Sequence, residues 1–114
     1  MRQYDIYNVD LNPTIGCEIG KIRPCLIISD NSFGALPSKI IIPFTDWKPK
    51  YANADWMVKV NPSQANGLNK ISALDCYQIS NVDYQIRFSE QRGTLEHFYV
   101  PIINSVLMDM FNLQ

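Results

Sequence analysis

The chain has 114 residues, one domain's worth, and its 46% hydrophobic content suffices for a compact core and excludes a disordered composition. Ten Lys and Arg against eleven Asp and Glu give a net charge of -1, which excludes the strongly basic balance of a bulk nucleic-acid binder. Three cysteines (Cys17, Cys25 and Cys76) with no C-x-x-C pair, and one histidine, His97, leave little for a zinc site and argue against a disulfide framework.

Met1 to Asp5 lacks the apolar stretch of a signal peptide, and no apolar run approaches a membrane span. With reduced thiols, this predicts a cytoplasmic protein. Tyr4 to Leu11 alternates apolar with polar residues, a strand with one wet face. Asn12-Pro13-Thr14-Ile15-Gly16 breaks it, and the loop runs to about Ile22. Cys25 to Ser29 is a buried strand, with Pro24 suited to its first position because it has no N–H to donate. Asp30 to Ser38 is a loop. Lys39 to Thr45 is a third strand, in which Pro43 implies an edge position or a bulge. Asp46 to Asn53 is a polar loop, Trp56 to Val60 a fourth strand, and Asn61-Pro62 and Asn66-Gly67 are turns.

Ile71 to Ile79 reads as a fifth strand and Gln85–Phe88 as a short further one, with Gly93 closing that stretch. From Tyr99 the spacing turns helical: Tyr99, Ile102, Ile103, Val106, Met110 and Leu113 fall at steps of three and four. Pro101 belongs in a first turn, so the helix starts near Val100. Five to seven short strands and one terminal helix predict a mainly β, partly closed barrel with the helix packed on it. Cys25 and Cys76, in apolar surroundings, belong to its core. Edge strands and leftover apolar surface can pair with a second copy.

Among groups that can do chemistry, Arg23 is held at a strand entry by Pro24, and its planar fork of donors matches a phosphate. The alternative is a salt bridge to Glu18 or Asp10. Thr45 ends a strand where an apolar run meets a polar loop, and its hydroxyl can serve a phosphate oxygen, hold an Arg, or cap the loop backbone. The basic residues between Lys21 and Lys70 can form a local positive patch. Tyr4, Tyr7, Trp47 and Trp56 can stack on bases, although Trp56 reads better as a partly buried wall residue. His97 stands alone, and no His–carboxylate pair, serine triad, phosphate-cradling loop or metal-ligand spacing is present.

In order along the chain, several segments resemble the MazF/PemK toxins. Tyr4 to Thr14 resembles their "GDIYLVDLNPT" start, Gly16 to Pro24 their "GSEQGKxRP" loop, and Cys25 to Asp30 the "xLIISN" strand that follows. Ile42 to Thr45 resembles "xPxTS", Gly67 to Ser72 "GLxKxS", and Gln78 to Asp83 "QIxTVD". Arg87-Phe88 and Gly93-Thr94-Leu95 stand at the "RL" and "GxL" positions. The sequence departs from the pattern at Tyr4, where Gly is usual, and at Cys17 and Asp46, where Ser is usual.

The resemblance implies one SH3-like barrel domain over residues 1–114, working as a homodimer. It implies the toxin of a type II toxin–antitoxin system, an endoribonuclease that cuts single-stranded RNA at short sequences without a metal or other cofactor and so inhibits translation and growth. A cognate antitoxin would cover its RNA groove. Arg23 and Thr45 take the catalytic positions. Glu18 would orient Arg23 or act as a local base. Gly16, Cys17, Lys21, Asp46, Lys48, Lys50, Lys70, Ser72 and Gln78 complete the expected supporting or RNA-contacting set, with loops Ile15–Ile22 and Asp46–Asn53 as walls. Asp46 would set a negative charge near an RNA phosphate. Two rivals stand beside this reading: a same-fold toxin that poisons DNA gyrase, and a non-catalytic interaction module.

Overall fold

The structure, a computed structural model, describes residues 1–113. Its strands are β1 (Asp5–Asp10), β2 (Ile22–Ile27), β3 (Ser38–Asp46), β4 (Met57–Val60), β5 (Ser72–Asp75), β6 (Ser80–Asp83) and β7 (Phe88–Thr94). A single helical turn, α1 (Tyr84–Arg87), precedes β7, and α2 (Val100–Phe111) ends the chain. The strands make one antiparallel 7-stranded sheet in the order β4-β5-β3-β2-β1-β7, with β6 also on β3. The path ends at β4 and β7, so the barrel is not closed.

The sheet turns on β3. Its first half pairs with β6 (Ile41↔Ser80) and its second half with β5 (Phe44↔Leu74), while β2 occupies its other edge (Cys25↔Pro43). Pro43 therefore falls in the gap between two partners, where no ladder bond is asked of its nitrogen. This replaces the edge position expected from sequence: β3 is central, and its proline marks the change of partner. Similarly, Pro24 lies inside β2, not at its start, opposite Asn8, and the β3 pairing begins only at Cys25.

β2 is buried on both faces, which is why it reads as an unbroken apolar run. Leu26 joins Ile6, Ile42, Phe44, Leu74 and Cys76 on one side, while Cys25 and Ile27 join Val9 and Ile41 on the other. Helix α2 covers the first cluster with Ile103, Val106, Leu107 and Met110, together with Tyr99 just before it. The expected stripe is thus correct in period but shifted in phase, with Ile102 and Leu113 outside. Tyr99 sets the phase: it is buried, and its hydroxyl accepts the Asn61 N–H at 3.0 Å.

Several segments depart from the sequence reading, and β6 and β7 are strands it did not assign, residues 80–93 reading as mixed apart from Gln85–Phe88. Ile71–Ile79 is no single strand: β5 stops at Asp75 and a 3-10 turn follows over Cys76–Gln78. Gln85–Phe88 is largely α1, because the Asp83 carboxylate accepts the Gln85 and Ile86 N–H groups and caps a turn. Trp56 is 44% exposed and edge-on to Tyr77 at 6.5 Å. Among the described residues, no helix is long and apolar enough to cross a membrane.

Candidate active site

Arg23 and Thr45 are 22 residues apart in sequence and neighbours in space. Extending the Cys25↔Pro43 register by two residues sets Arg23 opposite Thr45 across β2 and β3. The Arg23 guanidinium donates from Nη1 to Thr45 Oγ1 at 3.4 Å and from Nε to the Gly20 carbonyl at 3.0 Å. Both side chains are half-buried. Gly20 thus fixes the fork from the loop while Thr45 meets it from the strand. Neither of the expected salt bridges forms. Glu18 Oε1 accepts the Ile15 N–H at 2.9 Å, and Asp10 Oδ1 accepts the Asn12 N–H at 3.0 Å. The orienting group is a neutral carbonyl, and the charge on Arg23 is left uncompensated.

The pair lines a cleft of about 150 Å³ together with Pro24, Phe44, Asp46, Leu68, Asn69, Lys70, Ser72 and Arg92. Asp46 does not stand as a bare negative charge: Lys70 Nζ lies 3.0 Å from its Oδ2, with both side chains exposed. This is the one salt bridge among the described residues. The buried Ser72 donates from Oγ to the Lys70 carbonyl at 3.0 Å and so shapes the cleft wall.

The other expected residues lie elsewhere. Gly16 (φ +63°) and Cys17 are in the exposed loop, and Lys21 (φ +70°) donates its backbone N–H to Asn12 Oδ1 at 3.0 Å. Gln78 ties that loop to the 76–78 turn, accepting the Ile19 N–H at 3.2 Å and donating to the Cys17 carbonyl at 3.3 Å. Cys17, Glu18 and Gln78 line a second, larger groove of about 470 Å³ with Tyr77, Asn81 and Arg87. Lys48 and Lys50 line neither, and Lys50 Nζ sits 5.7 Å from the Tyr51 ring centroid. Of the expected wall at Asp46–Asn53 only Asp46 takes part in the Arg23 cleft. Its place is taken by Leu68-Asn69-Lys70 and by Arg92.

Sequence reasoning missed Arg92 because it searched for positive charge between Lys21 and Lys70. The one available signal was a basic residue directly before Gly93. Arg87 was noted only as a matching position. Its Nη1 donates to the Asp10 and Asn12 carbonyls, at 2.9 and 2.6 Å, and pins the end of β1.

Burial raises the Cys25 thiol far above its ordinary value and pushes Cys76 up to about 12, so both remain protonated at neutral pH and are poor nucleophiles. Among the described residues, no group of three or more His, Cys, Asp and Glu is placed to hold a metal ion. What the cleft offers is a fixed guanidinium and a hydroxyl converging on one spot. That arrangement suits phosphoryl oxygens.

A sequence profile described as PemK-like, MazF-like toxin of type II toxin-antitoxin system matches residues 2–111. A probable endoribonuclease MazF of Mycolicibacterium smegmatis is 34% identical over 83 residues, 72% of this chain and 71% of its own. Among solved structures, MazF from Deinococcus radiodurans superimposes with a TM-score of 0.81 at 17% identity, covering 99% of this chain and 97% of that one. The Mycobacterium tuberculosis toxin MazF-mt6 gives 0.77 at 22% identity, over 96% and 98%. An endoribonuclease in complex with its cognate antitoxin, from a mycobacterial species, gives 0.79 at 16% identity, over 100% and 97%.

Proposed function

The chain belongs to the PemK-like, MazF-like toxin family of type II toxin–antitoxin systems, and from that premise we propose that it is a metal-independent endoribonuclease whose catalytic pair is Arg23 and Thr45. The observation that carries the residue assignment is the 3.4 Å contact between a guanidinium with no carboxylate partner and a strand-end hydroxyl, inside a cleft that also holds Lys70 and Arg92.

The substrate supplies the nucleophile. A ribose 2′-hydroxyl gives up its proton to solvent as its oxygen attacks the adjacent phosphorus, the bond to the 5′-oxygen of the next nucleotide breaks, that oxygen takes a proton from solvent, and the products are a 2′,3′-cyclic phosphate and a 5′-OH end. The protein's task is to hold the two oxygens in line and to stabilise the charge that builds on the phosphoryl oxygens. Arg23 does the second by electrostatics: with a pKa above about 12 it is a poor proton donor. Thr45 donates a hydrogen bond to the same phosphate. Glu18 belongs to the neighbouring groove and is not the base.

We extend the reading to the whole molecule as one toxin domain over residues 1–114, cytoplasmic and homodimeric, with a cognate antitoxin as inhibitor. The antitoxin complex of the mycobacterial structural neighbour supports the last of these. Large exposed apolar side chains such as Ile15, Ile22, Phe98 and Phe111 supply material for both interfaces.

The test is incubation of purified protein with long single-stranded RNA in EDTA, beside Arg23→Ala and Thr45→Ala. Wild type is expected to cut at a few discrete sites and leave 5′-OH ends. Each variant is expected to stay folded and lose at least about a hundredfold in rate, the usual loss for one transition-state donor. Uncut RNA, or equal cutting by Arg23→Ala, overturns the assignment. Inhibition of supercoiling without RNA cleavage would favour the gyrase reading instead.

A further inference from the structure

We infer that Arg92 is a second, preorganised phosphate anchor in the Arg23 cleft, holding an RNA phosphate next to the scissile one. The inference rests on the nuclease reading above and adds to it a residue that positions the substrate strand.

A break in the sheet supports the assignment. β7 pairs with β1 through Ile6↔Gly93 and then Tyr7↔Gln91, so Arg92 is the extra residue of a β-bulge, with nothing opposite it. A bulge re-aims the side chain it carries. Here the guanidinium links the 61–68 turn, which crosses β7, to Asn8 on β1. Its Nε and Nη2 donate to the Gly67 carbonyl at 3.2 and 2.8 Å, and its Nη1 donates to Asn8 Oδ1 at 3.1 Å. The Asn8 amide is fixed in turn, since its Nδ2 donates to Glu90 Oε1 at 3.3 Å.

Every one of these acceptors on Arg92 is neutral. Three hydrogen bonds lock the fork while no carboxylate among the described residues lies within ion-pair distance of it, the nearest acid in this network, Glu90, being held off by the Asn8 amide. A guanidinium needed only to brace a turn gains most from an acidic partner. One held by carbonyl and amide oxygens keeps its field and its remaining N–H groups for a ligand. Because Arg92 lines the same cleft as Arg23 and Thr45, the ligand is an anion that spans the cleft. In a chain of net charge -1 the two guanidiniums place positive charge at one cleft, and a polynucleotide backbone carries a phosphate at every nucleotide to meet it.

The test uses the full chain and a single-stranded ribo-oligonucleotide containing one mapped cut site. Three proteins are compared: wild type, Arg92→Gln, which keeps a donor for the Gly67 carbonyl, and the double variant Asn8→Asp with Glu90→Gln, which leaves Arg92 in place and the total charge unchanged but gives its guanidinium an acidic partner. For both variants KM is expected to rise about tenfold, the loss of one charge-assisted hydrogen bond, with kcat within threefold of wild type. The slope of log affinity against log salt is expected to fall by about 0.7, one phosphate contact on a single strand. A purely structural Arg92 would instead lower the melting temperature of Arg92→Gln and leave the salt slope and the RNA affinity of the double variant unaltered. That result overturns the inference and leaves the nuclease reading intact. If wild type itself neither binds nor cuts the RNA, both fall together.

Discussion

Asp75 is a residue whose chemistry opposes the fold. It is 8% exposed at the end of β5, and its Oδ1 is buried with no hydrogen-bond partner. Burial raises its pKa, and a hydrogen bond from the Tyr77 backbone N–H only partly offsets this. A carboxyl whose folded pKa exceeds its unfolded value of about 3.9 binds more protons in the native state. Its contribution to stability therefore falls as pH rises through the window between those two values, and the full cost is present at neutral pH. Asp75→Asn should stabilise the protein by about 1 kcal/mol at pH 7, read as a higher melting temperature, and the gain should shrink as pH is lowered towards about 4. A gain independent of pH would mean that the carboxylate is not the source. Nothing in the sequence flagged Asp75, because within a strand expected over Ile71 to Ile79 an acid between Leu74 and Cys76 reads as part of a solvated face. Arg23 and Thr45 were legible individually, as a cation at a strand entry and a hydroxyl at a strand exit. Their contact follows from the β2–β3 register, which no local pattern encodes.

At the level of elements, the crossing of β7 with the 61–68 turn holds the cleft wall in place. Asn66 is fully buried, and its Oδ1 accepts the Ser63 and Leu68 N–H groups at 3.0 Å each. Gly67 has φ +69°, and a Cβ there would lie 1.9 Å from the Arg92 carbonyl oxygen; a Cβ on Gly93 would lie 2.2 Å from that of Ala65. Gly67→Ala should therefore cost more than about 2 kcal/mol in denaturant unfolding, since backbone must move against backbone. Gly16→Ala, at φ +63° but with open space around it, should cost only the left-handed penalty of about 1 kcal/mol. Equal costs would refute the close-crossing account. The sequence marked Asn66-Gly67 as a turn and Gly93 as a break, but the two meet only in the folded chain. Strands with clean alternation or apolar runs were readable to within a few residues. Between Cys76 and Phe88 local capping overrides the strand pattern, and the reading failed there.

Over the whole molecule, the fold brings charge together that the composition conceals. A chain of net charge -1 concentrates Arg23, Lys70 and Arg92 around one cleft, and only Lys70 shares its charge with an acid. The family pattern implied the architecture and pointed to Arg23 and Thr45. Arg92 escaped because its position depends on a bulge, and bulges leave little trace in a sequence. The proposed mechanism needs no reactive thiol of the chain, because it draws its nucleophile from the ribose. The most direct test is single-turnover cleavage, in EDTA, of two oligonucleotides that differ only by a 2′-hydroxyl or 2′-hydrogen at the mapped cut site, with wild type and Arg23→Ala. The account predicts that wild type cuts the ribo form, leaves the deoxy form intact while binding it with similar affinity, and that Arg23→Ala binds both and cuts neither. Cleavage of the deoxy form at a comparable rate would contradict it, because the attacking oxygen would then come from somewhere other than the substrate.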